Sequence, residues 1–313
     1  MNIWLALLLS AAGIVILVKG GDWFVDAACD LARMAGIPPF IVGATVVSLA
    51  TTLPEMIVSV IAAAGGKTEM AIGNAVGSVT ANTGLIMALA MLFLPMAAPR
   101  ERYGKQCLLL MAAAAALFAG SQGGSLSIWA DVVLALVFIA FMFVNVNEAR
   151  HDMADGAEEK KAGENSIWKD IALFAVGTVC IVVGSDMLVD GGSAVAEAIG
   201  VPERVIAVTM VAIGTSLPEL VTTLTAIRKR EASLSIGNII GANIIDLSLI
   251  LPVCSLVSGQ ALPVSAQSVG LDMGACLIIT VFAMASIFIY KKAGRVQGAV
   301  CLVLYAAYLA VSL

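Results

Sequence analysis

Glu55 and Glu219 each close the same short pattern, Thr51-Thr52-Leu53-Pro54-Glu55 and Thr215-Ser216-Leu217-Pro218-Glu219. Both patterns lie inside apolar runs, where an ionised carboxylate without a partner costs on the order of 3 kcal/mol. Helical spacing groups Ser48, Thr51, Thr52, Glu55 and Ser59 on one face. The counterpart helix carries Thr215, Ser216, Glu219 and Thr223, with Ala212 in place of Ser48. Pro54 has no N–H for the carbonyl of Ala50, and Pro218 has none for that of Gly214, so each helix is expected to bend one turn before its glutamate. The freed carbonyls are costly in hydrocarbon but become ligands when they face a cation. Downstream, Asn74, Ser78 and Asn82 recur at i, i+4 and i+8, matched by Asn238, Ala242 and Asp246. Carboxylate, hydroxyl and carbonyl oxygens, without sulfur or imidazole, are the ligand set of hard cations such as Ca²⁺ or Na⁺. Interhelical hydrogen bonding is the alternative role for Asn74 and Asn238.

The elements that hold these residues are predicted to be membrane-spanning helices. Of the 313 residues, 60% are apolar and only 12% charged, too few charges to cover a soluble domain of this length. Apolar runs long enough to cross a hydrocarbon core of roughly 30 Å predict ten helices. Their approximate bounds are 3–32, 39–64, 69–94, 104–119, 128–147, 168–197, 204–227, 232–257, 269–289 and 296–312. With both termini outside, the inner connections hold 14 Lys and Arg residues and the outer ones only Lys67 and Arg204. That asymmetry is a positive-inside signal for a multi-pass protein of the cell (inner) membrane, with the central connection cytoplasmic. The net charge of −5 carries little about partners, because many of the acids sit inside apolar runs. Nothing points to nucleic acid.

The chain is also duplicated. At one constant offset of 164 residues, Asp22 pairs with Asp186, Asp26 with Asp190, Thr45 with Thr209, and Ile72-Gly73-Asn74 with Ile236-Gly237-Asn238. From Gly20/Gly184 to Ile86/Ile250, 20 of 67 pairs are identical without a gap, including Pro, Asp, Asn and Glu positions that shared apolar composition cannot supply. Five spans per unit is an odd number, so the second copy must enter from the opposite side. The predicted architecture is an all-α integral membrane protein of two inverted five-helix repeats, 1–147 and 168–313, joined by a solvated linker at 148–167. Helices 2, 3, 7 and 8 are expected to be broken or bent around a central site. Inverted repeats are the architecture of many secondary transporters.

Other features yield less. The six cysteines lie in or beside apolar segments without a C-x-x-C pair, so neither a disulfide framework nor a zinc site is expected. The only histidine, His151, lies among acids at the start of the linker, in a spacing that matches no EF-hand. No cleavable leader is expected, because Met1-Asn2-Ile3-Trp4 carries no basic residue. An enzyme is disfavoured, since no nucleophile–His pair falls within the apolar runs.

The motif pair resembles the two alpha repeats of the cation/calcium exchanger superfamily. T-T-L-P-E and T-S-L-P-E are each followed by G-N-x-x-G and then by Asn82 or Asp246, and the likeness is closest to the prokaryotic sodium/calcium exchangers. The resemblance implies that Glu55 and Glu219 are central Ca²⁺ carboxylates, with Thr51 and Thr215 adding oxygens around the same ion. It implies that Ser48, Thr52 and Ser78 line a sodium site on one side. Ala212 through its carbonyl, Ser216 and the position of Ala242 would line its partner, and Asn82 and Asp246 would flank the middle. Ala242 departs from the serine frequent in the family and removes one hydroxyl from a sodium site.

The expected activity is therefore Na⁺/Ca²⁺ antiport by alternating access, with the ions as cargo and no cofactor. Proton/calcium antiport on the same scaffold is the nearest alternative, and a passive cation channel a more distant one. Glu55, Glu219 and Asp246 together carry up to three negative charges, which three Na⁺ balance and one Ca²⁺ does not. One acid, Asp246 first, is thus expected to hold a proton in the calcium-loaded state.

Overall fold

The computed structural model describes residues 2–155, 167–200 and 214–312. They form an all-helical protein. Helix α1 (Ile3–Ala35) opens on Asn2, whose side chain accepts the Trp4 N–H at 3.1 Å, and ends at Gly36 in the left-handed region (φ 69°). There follow α2 (Pro39–Thr51), α3 (Leu53–Ala64), α4 (Thr68–Phe93), α5 (Arg100–Gly120), α6 (Ile128–Asp155) and α7 (Ile167–Ala198). The chain closes with α8 (Leu217–Lys229), α9 (Ala232–Ser258), α10 (Ser268–Tyr290) and α11 (Arg295–Ser312). Among the described residues eight helices are long and apolar enough to cross a membrane, and α2 with α3 would supply a ninth. The expected seventh span is described only from Gly214, and Ala212 and Thr209 lie outside the described residues.

The second predicted helix, expected to break or bend, is two helices, α2 and α3, meeting at 47°. Two departures from the sequence expectation matter. The third and eighth run through without a gap. Each carries one wide π turn, Asn82–Met87 in α4 and Asp246–Ile250 in α9, where a bend had been expected. Such turns insert a residue into the helical ladder and recur at functional positions. Finally, α6 continues to Asp155, well into the predicted linker. Its extra turns are held to α5: Lys105 Nζ lies 3.0 Å from Glu148 Oε1, Gln106 Nε2 donates to Glu148 Oε2 at 3.0 Å, and Arg102 pairs with Asp152 at 3.5 Å. Glu148 and Asp152, four residues apart, share the helix face turned to α5, which the local charge density alone did not reveal.

The helices sort into a body and a pair. The main core joins Ile72, Met87, Leu110, Phe141, Ile240, Leu251 and Met284, from both halves of the chain. At its centre run α9 and α4, with 78% and 67% of their most apolar windows buried, against 22% for α1 and α7. Those two outlying helices pack along each other through glycine. A Cβ at Gly13 would lie 2.9 Å from the Gly184 carbonyl oxygen, and one at Gly177 would lie 2.9 Å from that of Gly20. The stacked rings of Phe24 and Phe174 (4.6 Å) join them as well. A smaller cluster of Leu17, Phe24, Val25, Ala28 and Ile181 with Val42, Val47 and Leu234 marks where this pair rests on the body.

The connections pair by side. Strand β1 (Met96–Ala97) and strand β2 (Lys292–Ala293) form a short antiparallel ladder between the α4–α5 and α10–α11 connections. A bridge between Ser125 and Pro263 ties the α5–α6 connection to that between α9 and α10.

Candidate cation site

Each Leu-Pro-Glu motif starts a helix. Thr52 (φ −86°, ψ −1°) ends α2, and α3 begins with Leu53 and Pro54. Ser216 takes nearly the same angles (φ −89°, ψ 4°) ahead of α8, which begins with Leu217 and Pro218. Proline suits a first turn, where its missing N–H has no partner to lose. The break therefore places Glu55 and Glu219 in the first turns of α3 and α8, where unpaired N–H groups and the helix dipole favour negative charge. The sequence predicted the bend but not this consequence.

Candidates from the two halves meet through Thr51, Thr52, Glu55, Glu219 and Asp246. Ser48, Thr51, Thr52, Glu55, Ser78, Asn82, Ser216, Glu219 and Asp246 are all buried, at 5% exposure or less, and Thr215 is half-buried. Glu55 lies within electrostatic reach of both Glu219 and Asp246, and Asp246 faces Glu219. The Thr52 hydroxyl, from the first half, donates to Glu219 Oε1 in the second at 3.3 Å. That of Thr51 lies 3.2 Å from Asn238 Oδ1. Asn74 Nδ2 donates to Ser59 Oγ at 2.9 Å and to the Glu55 carbonyl at 3.3 Å. Ser48 Oγ donates to the Thr45 carbonyl at 3.1 Å and packs against Gly241. Ala242 is fully buried and, being alanine, offers no hydroxyl where Ser78 does.

What distinguishes the cluster is how many of its polar atoms the protein leaves without a hydrogen bond. Both carboxylate oxygens of Glu55 and of Asp246, Glu219 Oε2, both amide atoms of Asn82 and the hydroxyls of Ser78 and Ser216 are buried with no hydrogen-bond partner. Buried polar atoms are paired in the great majority of cases, and uncompensated buried carboxylates are more costly still. Among the described residues no group of three acidic, histidine or cysteine side chains could hold an ion by itself. A shell built here must draw on hydroxyl, amide and main-chain oxygens as well, which suits a hard cation.

Asn243 and Thr83 carry no mark in the repeated sequence pattern. Asn243 Nδ2 donates to the Thr83 hydroxyl at 2.8 Å, tying α9 to α4 beside Asp246 and Asn82. Their repeat mates are Val79 and Leu247, so a search for matched pairs passes over both. Asn238, noted as a helix-stripe residue, joins the site through Thr51. The signal available for both was a polar residue in an otherwise apolar run.

Known proteins share this architecture. The family model described as sodium/calcium exchanger protein matches residues 5–147 and 169–313. The chain is 32% identical to an uncharacterized membrane protein of Methanocaldococcus jannaschii, covering 94% of this chain and 93% of the relative. It is 30% identical to the sodium/calcium exchanger MaX1 of Methanosarcina acetivorans, covering 96% of each. Among solved structures, the sodium-calcium exchanger NCX_Mj soaked with Na⁺ and Sr²⁺ superposes with a TM-score of 0.84 at 30% identity, over 98% of this chain and 99% of that one. Na⁺ and Ca²⁺ are the ions this family exchanges, and it consists of membrane transporters, not enzymes. With a match across nearly its whole length, the chain belongs to the sodium/calcium exchanger family.

Proposed function

We propose that this protein exchanges Na⁺ for Ca²⁺ across the cell membrane by alternating access. The observation that carries this reading is the set of buried oxygens of Glu55, Glu219, Asp246, Asn82, Ser78 and Ser216 left without a hydrogen-bond partner. In this reading Glu55 and Glu219 ligate Ca²⁺ from opposite sides, with Thr51 and Thr215 adding oxygens. Ser48, Thr52 and Ser78 serve a sodium site in one half, and Ser216 and the Ala212 carbonyl serve one in the other. Asn82 and Asp246 flank the centre. Ca²⁺ and Na⁺ then compete for shared ligands, so loading one evicts the other, and the charge count asks Asp246 to hold a proton when Ca²⁺ is bound.

The scaffold proposed is ten spans in two inverted repeats, 1–147 and 168–313, with both termini outside and the linker near 148–167 cytoplasmic. The distribution of basic residues supports that orientation. So does the pairing of connections: β1–β2 joins two expected inner loops, and the Ser125–Pro263 bridge joins two expected outer ones. The pair α1 and α7, packed on each other and lightly on the body, is the natural moving unit.

The test is Ca²⁺ uptake by purified protein in liposomes under an opposed Na⁺ gradient or an opposed pH gradient. Uptake driven by Na⁺ and unmoved by pH alone is expected. Uptake that follows the pH gradient without Na⁺ would replace this reading with Ca²⁺/H⁺ antiport, and uptake coupled to neither would make the protein a channel.

A further inference from the structure

Helix α1 is seated on α8 at one place, and charge gathers there. A Cβ at Gly21 would lie 2.9 Å from both Thr225 Oγ1 and Val221 Cγ1, so the backbones approach closely. The next residue, Asp22, has a side chain only 22% exposed and pairs with Arg228. Lys229 Nζ lies 3.9 Å from Asp22 Oδ1 and 2.6 Å from Asp26 Oδ1. Two acids of α1 and two bases at the end of α8 thus form one network beside the Gly21 contact.

The duplication provides an internal control. Helix α7 repeats the acids as Asp186 and Asp190, but the positions equivalent to Arg228 and Lys229 are Ala64 and Gly65. Lys67, the next base along the chain, stands where the second half has Glu231. The packing differs in the same sense. Thr225 is buried under α1, whereas Ile57 and Ile61, equivalent to Val221 and Thr225, are 56% and 66% exposed. Helix α7 does not pack along α3 as α1 does along α8, and Asp186 and Asp190 are both exposed.

We propose that Asp22, Asp26, Arg228 and Lys229 form an electrostatic latch that holds α1 on α8, and that the first repeat has no equivalent. The latch closes one face of the exchanger, the cytosolic one in the orientation above, and biases the resting protein toward the outward-facing state. Partly exposed ion pairs are individually weak. Two access states of similar energy need little to be unbalanced, and a network of this kind shifts their ratio by about two- to tenfold. The inference rests on alternating access, but its test does not depend on transport.

Hydrogen–deuterium exchange of the intact protein in nanodiscs, without an ion gradient, reads the docking directly. Arg228→Gln with Lys229→Gln should raise exchange in residues 217–229 by about two- to tenfold and leave residues 100–120 unchanged. The swap Asp26→Lys with Lys229→Asp should restore most of the protection, which separates lost charge from lost folding. Ala64→Arg with Gly65→Lys should build the missing latch and lower exchange in residues 53–64. Unchanged protection in the double glutamine variant would overturn the latch, as would a swap that restores nothing. No added protection from the installed pair would overturn the claim that its absence sets the bias. Loss of Na⁺-driven Ca²⁺ uptake in the unmodified protein would sink the exchange reading instead, whatever the protection pattern.

Discussion

Helices α4 and α9 descend from the same repeat segment, yet they meet opposite surroundings. On α9, Gly237, Asn238 and Gly241 are buried, and α2 crosses them so closely that a Cβ at Gly237 would strike the Phe40 carbonyl and one at Gly241 that of Ala44. On α4, Gly73 is exposed and Asn74 and Gly77 are half-buried, and Gly73 lines an open cavity of about 220 Å³ with Glu69, Ser265, Ser268 and Asp272. The asparagines part company too. Asn238 reaches across to Thr51 in the other half, while Asn74 bonds to Ser59 and Glu55 in its own. One motif thus holds a shut side and an open side at once. This is what an inverted repeat must do if the two halves take turns closing over a shared site.

Mutations test how far the two halves are alike. The largest effect is expected where the halves are most alike. Glu55→Gln and Glu219→Gln should each cut Na⁺-driven Ca²⁺ uptake in liposomes by more than the about 10–100-fold that loss of a ligand's supporting group costs. Exchange surviving either one would mean that the two carboxylates do not share an ion. Next comes the crossing of α2 and α9. Gly241→Val forces side-chain atoms into the Ala44 backbone and should cost about 1–3 kcal/mol or more in stability, read as a lower melting temperature in detergent. Its mate Gly77→Val is not the right control, because Gly77 is half-buried; exposed Gly73→Val should change stability by less than about 0.5 kcal/mol. It should nevertheless slow exchange if Gly73 must take the packed position in the opposite state.

Smaller effects test where the halves differ. Asn243→Val copies Val79 and leaves the buried Thr83 hydroxyl without its partner, a loss of about 1–3 kcal/mol measurable by thermal unfolding. Ala242→Ser copies Ser78 and restores a hydroxyl, worth about 1 kcal/mol as a single polar contact. Apparent Na⁺ affinity should rise several-fold, with that for Ca²⁺ little changed. Equal shifts for both ions would show that position 242 does not belong to a sodium site.

Much of this was legible in the sequence because membrane burial restricts composition so strongly. An apolar run of sufficient length has few structures open to it, and polar residues inside one stand out. The Thr-Thr-Leu-Pro-Glu pattern announced both the helix break and a carboxylate inside the apolar run, and the polar stripe of Ser78, Asn82 and Asp246 followed from helical spacing and the constant offset. The end of α6 is not legible locally, because its charged extension has the composition of a solvated loop. Its partners on α5 lie more than forty residues away in the chain.

The apolar helices, the duplication and the polar residues around Glu55 and Glu219 are all written in local composition and periodicity. That Glu55 and Glu219 start new helices, and that nine buried polar atoms of the cluster find no hydrogen-bond partner, depends on how the helices pack. Tertiary packing also sets which repeat is shut, since Gly73, Asn74 and Gly77 recur as Gly237, Asn238 and Gly241 yet meet different surroundings. The shared motif residues alone cannot encode that difference. It arises from contacts between distant segments, such as Gly241 against Ala44 and Asp22 against Arg228.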